Sequence, residues 1–251
     1  MAFGTREWSD HSFNFMSGCS NDCVYCYAKS MAIRFGTKTA ENWKNEEFAD
    51  LSRKSFAKKK GVIMVPTTHD ITPGNLEKTV EVLKKLTDAG NEILIVSKPR
   101  LECIDRITDE LRRHKDLVYF RFTIGSADSK VLKLWEPGAP SFEERVKALK
   151  LACAKGYRTS LSCEPLLDDF DPIYQRTAPY VKEIWVGKMN RSVERCGMNS
   201  AGSFPESEIK AILDRQTDDK ILALYGKYKD NPKIRWKDSI SEVLEKHGVH
   251  V

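Results

Sequence analysis

Residues 61–98, GVIMVPTTHDITPGNLEKTVEVLKKLTDAGNEILIVSK, contain the pattern that decides the fold. Two continuous apolar runs, VIMV at 62–65 and ILIV at 93–96, enclose a segment whose apolar residues recur at helical spacing. Strands that are apolar on both faces are typical of a buried parallel sheet, and a helix is the usual connection between two of them. We therefore predict a strand–helix–strand unit whose helix starts at Leu76 and closes at Gly90.

The same alternation continues on both sides of this unit. Further strands are predicted at 13–15, 117–124, 159–166 and 183–189. Capping boxes, Ser141 with Glu144 and Ser239 with Glu242, mark the starts of two helices. About six strand–helix units predict an α/β fold with a parallel sheet, here an open partial (β/α)6 barrel. We assign residues 1–200 to this core and residues 201–251 to a C-terminal helical extension packed on it.

The composition is that of a folded protein. The 251 residues are 41% hydrophobic, which is enough for a sizeable core and excludes wholesale disorder. No apolar run approaches the roughly 20 residues of a membrane helix, and the N-terminus lacks a signal-peptide pattern, so we expect a cytoplasmic protein without a membrane partner. Seven cysteines in a reducing compartment indicate metal or reactive sites rather than disulfides. The net charge of +5 suits a phosphate-bearing partner without demonstrating one.

Three of the cysteines, Cys19, Cys23 and Cys26, lie within eight positions in the stretch MSGCSNDCVYCYAKS. A structural zinc site normally has four protein ligands, and the other four cysteines are scattered singly. A four-iron cluster held by only three thiolates keeps one iron for an external ligand. The alternative is a zinc or redox site that a distant residue such as His11 or His69 completes.

The C-x3-C-x2-C spacing, with Tyr25 just before the last cysteine, resembles the signature of radical S-adenosylmethionine (SAM) enzymes. Three further segments, HDITPGN at 69–75, IVSKP at 95–99 and FTIGSADSKVLKLWEPGAP at 122–140, are similar to the spore photoproduct lyase-like branch of that superfamily. The resemblance implies an enzyme that binds a [4Fe–4S] cluster and SAM and takes an electron from a donor such as a flavodoxin or ferredoxin. It further implies a 5′-deoxyadenosyl radical that abstracts hydrogen from a substrate.

Function in a parallel β/α fold collects where the strands end. The polar residues at the predicted ends include His69, Asp70, Ser97, Lys98, Ser126, Asp128, Glu164, Lys188 and Asn190. The resemblance and the chemistry of SAM together give the candidate contacts, which are Asp70 to the amino group, Lys98 to the carboxylate, Ser126 and Glu164 to the ribose, and Tyr25 beside the adenine. An ordinary loop or strand-end role is the alternative for these residues. Arg145 is expected to pair with Glu136 or Asp128.

One departure from the family concerns the hydrogen donor. Spore photoproduct lyases are expected to carry a cysteine in the loop after the second strand, where this chain reads VPTTHD at 65–70. The sequence therefore does not predict photoproduct repair itself. Cys163 and Cys196 are the remaining candidates for hydrogen donation, and burial as small apolar residues is their ordinary alternative.

The substrate stays open between two classes. In YGKYKDNPKIRWKD at 225–238, aromatic residues alternate with cations, as in surfaces that bind single-stranded or flipped nucleic acid. Packing of those aromatic rings on the barrel is the structural alternative. A peptide or a small metabolite is the other substrate class, and a non-catalytic zinc or iron–sulfur binding protein is the alternative to an enzyme.

Overall fold

The computed structural model describes residues 4–249, in which strands and helices alternate along the chain. The strands are β1 His11–Ser12, β2 Met16–Ser17, β3 Glu47–Phe48, β4 Val62–Val65, β5 Glu92–Ser97, β6 Val118–Thr123, β7 Arg158–Cys163, β8 Ile184–Val186 and β9 Ile234–Trp236. The α-helices are α1 Tyr27–Arg34, α2 Leu76–Asp88, α3 Leu101–Glu110, α4 Ser129–Trp135, α5 Phe142–Ala154, α6 Phe170–Thr177, α7 Ser192–Asn199, α8 Glu206–Arg215, α9 Asp218–Tyr228 and α10 Asp238–Lys246. Short 3-10 helices cover Gly4–Glu7, Leu51–Arg53, Arg112–Leu117 and Ala178–Tyr180.

Seven strands form one sheet in the order β1-β4-β5-β6-β7-β8-β9, and every neighbouring pair is parallel. Strands β2 and β3 form a separate antiparallel pair. Because the order in the sheet follows the order in the chain, the sheet winds in one direction as in a barrel, with β1 and β9 as its two edges. This arrangement confirms the predicted open partial barrel.

The two faces of the sheet have different neighbours. Ile93 and Ile95 on β5 point into the hydrophobic core, together with residues of α2 and α3 such as Leu83 and Ile104. Val96, one position along the same strand, faces the concave side, where it lines a cavity. This alternation follows from the two-residue period of a strand and leaves the concave face for the site.

Two details differ from the sequence predictions. The first strand is His11–Ser12 instead of 13–15. The C-terminal segment, expected to be helical, also supplies β9, which pairs with β8 and opposes Arg235 to Trp185. A three-residue strand in a polar stretch carries too weak a pattern to be recognised before its partner strand is known.

The two predicted capping boxes have different outcomes. Ser141 caps α5, and its Oγ accepts a hydrogen bond from the backbone N–H of Glu144 at 3.3 Å. Ser239 does not cap α10, since the N-cap is Lys237, and Ser239 Oγ instead accepts from the backbone N–H of Lys188 at 3.0 Å. The second prediction was wrong because the hydroxyl serves a neighbouring loop. Within residues 4–249, no helix combines the length and the apolar character needed to cross a membrane.

Candidate active site

A cavity of about 520 Å³ lies at the carboxyl end of the parallel sheet. Its floor includes Met64, Val96, Thr123 and Ser162, which are inward-facing residues of four adjacent strands. The sequence-predicted site residues on its wall are Cys19, Cys23, Cys26, Tyr25, Asp70, Lys98 and Glu164. Its size falls within the range of small-molecule sites. The fold thus brings most of the predicted residues to one place.

The three cysteines lie in the loop before α1. Cys26 is the N-cap of that helix, and its Sγ accepts from the backbone N–H of Lys29 at 3.4 Å. Burial raises the pKa of the Cys19 thiol to about 12 and also raises the pKa of Cys23 and Cys26. Buried thiols of this kind give up their protons only when a positive centre replaces them, as on metal binding.

Other elements hold the backbone of the cysteine loop in place. Asn199 on α7 donates through Nδ2 to the carbonyl oxygens of Val24 at 2.7 Å and Cys26 at 2.9 Å. The loop after α4 adds two backbone bonds, one from Val24 N to the oxygen of Trp135 and one from Gly138 N to the oxygen of Asn21. A Cβ at position 138 would lie 2.0 Å from the backbone oxygen of Ser20, so only glycine fits there.

The donor set of this loop fits an iron–sulfur cluster. Within residues 4–249, no three or more His, Cys, Asp or Glu side chains converge on a point where a single metal ion would sit. Thiolates of a four-iron cluster bind different irons, so they do not have to converge on one point. Three cysteines on the wall of one cavity therefore fit such a cluster, with the rest of the cavity left for an external ligand.

The carboxylate of Asp70 receives four hydrogen bonds from the protein. Its Oδ1 accepts from Ser97 Oγ at 2.5 Å and from the backbone N–H of Ile71 at 2.7 Å. Its Oδ2 accepts from Asn21 Nδ2 at 2.8 Å and from the backbone N–H of Lys98 at 2.9 Å. The expectation that Asp70 accepts from the amino group of SAM therefore needs correction, because these donors already use the carboxylate. Asp70 instead ties the cysteine loop to the end of β5.

Lys98 lies above a buried group of polar side chains. Its Nζ is 4.0 Å from Glu136 Oε1 and 5.6 Å from the centre of the Tyr25 ring. Glu136 is fully buried, accepts from the Tyr25 hydroxyl and pairs with Arg145, which confirms the predicted ion pair. Burial alone would raise the pKa of Glu136, but Arg145 and Lys98 outweigh it, and the net pKa is lowered. Glu136 is thus held as a carboxylate beneath Lys98.

The opposite wall of the cavity is built around Lys237. This lysine directly follows β9, is almost fully buried and pairs with Glu7 and, at 3.4 Å, with Glu164. Its Nζ lies 4.3 Å from the centre of the Trp8 ring. The sequence left 225–238, with Lys237, open between a nucleic-acid surface and a stretch packed on the barrel. The pairing of β9 with β8 explains why Lys237 lies on the cavity wall.

Three predicted residues lie elsewhere. Ser126 is fully buried, and its Oγ contacts Asp128 and Asp168 instead of the cavity. Cys163 and Cys196, the candidate hydrogen donors, are fully buried in the hydrophobic core. Ser162 lines the cavity, so its neighbour Cys163 points to the other face of the sheet. The structure therefore supports the ordinary alternative for both cysteines.

The aromatic residues of 225–238 largely pack on the barrel. Tyr228 is buried, and its hydroxyl donates to Asp171 Oδ1 at 2.7 Å. Trp236 packs against Tyr225 with the ring centres 5.5 Å apart, and Lys227 pairs with Asp171. These contacts correspond to the structural alternative, so this stretch no longer supports a nucleic-acid surface.

Sequence reasoning gave two site residues too little weight. His69 is buried on the cavity wall, and its Nε2 has no hydrogen-bond partner among the residues described. Burial lowers its pKa to about 4, so the ring is neutral near pH 7. Asn199 has no motif, and only the three-dimensional contact with the cysteine loop reveals its role. The position of His69 at a strand end was the signal that could have found it.

Comparisons with known proteins agree with this geometry. A family model described as the radical SAM superfamily matches residues 13–170, which is more than half of the chain. Uncharacterized protein ORF301 of Acidianus two-tailed virus is 24% identical over 258 residues, which cover 92% of this chain and 83% of that protein. Spore photoproduct lyase of a Geobacillus species is 23% identical over 176 residues, or 64% of this chain and 47% of the lyase.

Two solved structures have similar folds. A spore photoproduct lyase variant with bound AdoMet and dinucleoside spore photoproduct superposes with a TM-score of 0.59 at 15% identity, covering 94% of this chain and 78% of that one. SuiB of Streptococcus suis bound to S-adenosylmethionine gives a TM-score of 0.51 at 10% identity, covering 93% and 50%. At these identities the likeness concerns the fold.

Proposed function

The chain belongs to the radical SAM superfamily, and we propose that it uses a [4Fe–4S] cluster on Cys19, Cys23 and Cys26 to cleave SAM reductively. Held by Cys19, Cys23 and Cys26, the cluster would supply the electron for cleavage of the carbon–sulfur bond of SAM, which would give methionine and a 5′-deoxyadenosyl radical able to take a hydrogen atom from a substrate. A one-electron donor such as a flavodoxin or ferredoxin restores the electron, and we place the reaction in the cytoplasm. In this proposal residues 1–200 form the core of the enzyme, and the C-terminal extension 201–251 packs on it and adds β9 to its sheet.

One observation carries this proposal. The three cysteines and Lys98 line the same cavity at the carboxyl end of the parallel sheet, although 72 residues of chain separate Cys26 from Lys98. A cluster with one free iron needs such a neighbouring group, because the carboxylate of SAM requires a cation in a partly closed site. A zinc module would not need a lysine placed beside its cysteines.

The chain's own residues bind and orient SAM in this proposal. Lys98 pairs with the SAM carboxylate, Tyr25 lies beside the adenine, and Glu164 accepts from a ribose hydroxyl. Asp70 acts as a positioning residue, since it holds Asn21 and the backbone of Lys98. Glu136 and Arg145 fix Tyr25 and Lys98 from below.

Photoproduct repair itself is not proposed. The loop from Val65 to Asp70 has threonines at 67 and 68 and no cysteine, and neither Cys163 nor Cys196 reaches the cavity. We propose a nucleic acid as the substrate, and a peptide or small metabolite is the competing class. The hydrogen atom that the radical removes belongs to that substrate.

Anaerobic reconstitution tests the proposal. The protein is loaded with iron and sulfide and reduced with dithionite, and 5′-deoxyadenosine is measured by mass spectrometry. We expect about four irons per chain and formation of 5′-deoxyadenosine. A fully loaded protein that binds no SAM and forms no 5′-deoxyadenosine would refute the proposal.

Lys98→Ala tests the proposed cation. We expect weaker SAM binding, by about tenfold or more because a charge-assisted contact is lost, with an unchanged cluster absorbance. Lys182→Ala is the control, because Lys182 is exposed at the opposite end of β8. An unchanged SAM affinity in Lys98→Ala would remove Lys98 from the site.

A further inference from the structure

Two cations on the cavity wall form no direct ion pair among the described residues. Lys188 and Arg195 are half-buried and line the cavity, yet within residues 4–249 neither side chain forms a hydrogen bond or an ion pair. The other two lysines of the wall differ, since Lys98 faces Glu136 and Lys237 pairs with Glu7 and Glu164. Half-buried cations without a direct ion pair are costly, and a bound anion would offset that cost.

The structure fixes the backbone that carries Lys188. Its N–H donates to Ser239 Oγ at 3.0 Å, and the next N–H, that of Met189, donates to Gln216 Oε1 at 2.9 Å. The C-terminal segment thus positions the end of β8 through two side chains. Because these hydrogen bonds fix its backbone, Lys188 is preorganised at the cavity wall, as a binding site requires.

Arg195 belongs to α7, whose Asn199 holds the cysteine loop, and its side chain lines the cavity. A guanidinium presents a planar fork of donors that matches the oxygens of a phosphate. Arg195 is therefore placed where a substrate would face the SAM side of the cavity.

Two aromatic residues also line the cavity. The Trp8 ring is already in contact with Lys237 and Arg121, whose cations lie 4.3 and 4.6 Å from its centre, whereas Tyr27 is 40% exposed and its hydroxyl donates to the backbone oxygen of Thr67 at 2.9 Å. Aromatic faces beside cations are the combination that holds bases and phosphates of single-stranded nucleic acid. A carboxylate-bearing peptide would use the cations but has no comparable need of the rings.

From this arrangement we infer that Lys188 and Arg195 form a phosphate-binding pair for a nucleic-acid strand, with the exposed ring of Tyr27 as a surface on which a base stacks. The inference rests on the proposed function, in which SAM occupies the side of the cavity that carries the cysteines. It names the substrate class of that site and the side chains that recognise it. The phosphodiester contacts the two cations while the base to be modified faces the 5′ carbon of SAM.

The test measures binding of fluorescein-labelled tetrathymidylate to the cluster-loaded, SAM-bound protein by fluorescence anisotropy over a range of salt concentrations. We expect Lys188→Gln and Arg195→Gln each to weaken binding about tenfold at low salt. Each variant should also reduce the slope of log affinity against log salt by about 0.7, the value for one lost contact to a single-stranded phosphate. Lys182→Gln should behave as the wild type, because Lys182 stands two residues before β8 and Lys188 two residues after it.

Several outcomes would overturn the inference. Wild-type affinity and salt slope in both variants would remove the pair from the site. A glutamate peptide of the same net charge that binds as tightly as the oligonucleotide would assign the cations to carboxylates. A loss of SAM affinity as large as the loss of oligonucleotide affinity would assign them to SAM.

Arg195→Lys and Lys188→Arg keep the charge and should therefore keep the slope of log affinity against log salt. A smaller slope in these variants, when they are correctly folded, would also contradict the inference.

SAM cleavage by the wild type separates this inference from the proposed function. Formation of 5′-deoxyadenosine without oligonucleotide binding contradicts only the phosphate-binding pair. Absence of SAM binding and cleavage in the loaded protein contradicts the proposed function, whatever the oligonucleotide does.

Discussion

The two walls of the cavity differ in how their polar side chains are paired. On the wall that carries the cysteines, Asp70 receives four hydrogen bonds, and Glu136 contacts Tyr25, Lys98 and Arg145. On the opposite wall, Lys188 and Arg195 have no such partners within residues 4–249. The carboxylates of the first wall are thus already paired within the folded chain, whereas two cations of the second wall remain able to bind a ligand.

This difference follows from what each wall has to do. A cluster and a cofactor of fixed chemistry are best served by side chains that are already locked in place, because little ordering is then left for the moment of binding. The free-energy cost of removing a charged substrate from water is offset only if the protein supplies charges that can pair with it. The comparison predicts large effects for substitutions on the cysteine side and smaller, ligand-dependent effects on the other.

The largest effect is expected from Cys23→Ala. With two cysteines left, the cluster loses one of its three protein ligands, and both the iron content and the formation of 5′-deoxyadenosine should fall to background. Cys153→Ala is the matched control, because Cys153 is a half-buried free thiol on α5 away from the cavity. Iron analysis measures the cluster content, and mass spectrometry measures 5′-deoxyadenosine. Normal SAM cleavage by Cys23→Ala would show that Cys23 does not bind a catalytic cluster.

Glu136→Gln should have the next largest effect. It removes the charge from a fully buried pair and leaves Arg145 as a buried cation without a counter-charge. Breaking one side of a buried pair costs about 3–5 kcal/mol of the free energy of unfolding. Denaturant unfolding of Glu143→Gln gives the contrast, since Glu143 pairs with Arg176 at 2.8 Å on the surface and should cost under about 1 kcal/mol. Equal losses of the free energy of unfolding in the two variants would show that the buried Glu136–Arg145 pair matters no more than the surface Glu143–Arg176 pair.

Gly138→Ala tests the contact between the loop after α4 and the cysteine loop. The added Cβ would lie 2.0 Å from the backbone oxygen of Ser20, so one loop must shift. We expect a loss of about 1–3 kcal/mol of stability, as for other overpacked sites, together with faster release of iron. Gly226→Ala in α9 is the control, because a Cβ there meets nothing within 4 Å. Unchanged iron retention in Gly138→Ala would mean that this contact does not position the cysteines.

The sequence predicted the parts of the molecule that have a strong local signal. The β/α alternation, the cysteine spacing and the Arg145–Glu136 pair are such parts, because buried strands are continuous apolar runs and motifs are short in sequence. Strand β9 was missed, since a three-residue edge strand is defined by its partner β8 rather than by its own pattern. Lys237 was consequently not recognised as a site residue, although it lines the cavity.

The same reasoning could not decide which strand-end residues face the site. Ser126 and Cys163 stand at strand ends, yet one contacts Asp168 and the other lies in the core. Which face a residue takes depends on strand register, and a shift by one residue reverses it. Asn199 illustrates the opposite case, because its bonds to the cysteine loop join residues more than 170 positions apart.

His69 sharpens the comparison, because its Nε2 is buried without a hydrogen-bond partner among the described residues, on the wall where Asp70 and Glu136 are paired. Its ring packs edge-on against Phe15 at 4.6 Å, and burial lowers its pKa from 6.5 to about 4. As the pH falls, the imidazole of His69 therefore takes up a proton near pH 6.5 in the unfolded chain but only near pH 4 in the folded chain. The free energy of unfolding contributed by this group is complete above pH 6.5 and falls as the pH falls through this window.

We expect wild-type protein to lose about 2 kcal/mol of stability through this group between pH 7 and pH 5, and His69→Gln to lose correspondingly less. Anaerobic urea unfolding at the two pH values measures the difference. Glutamine keeps a polar group at the cavity wall without the titration, so the substitution separates protonation from packing. Equal losses of stability in the variant and the wild type on acidification would contradict this prediction. They would show that burial does not keep the imidazole of His69 neutral.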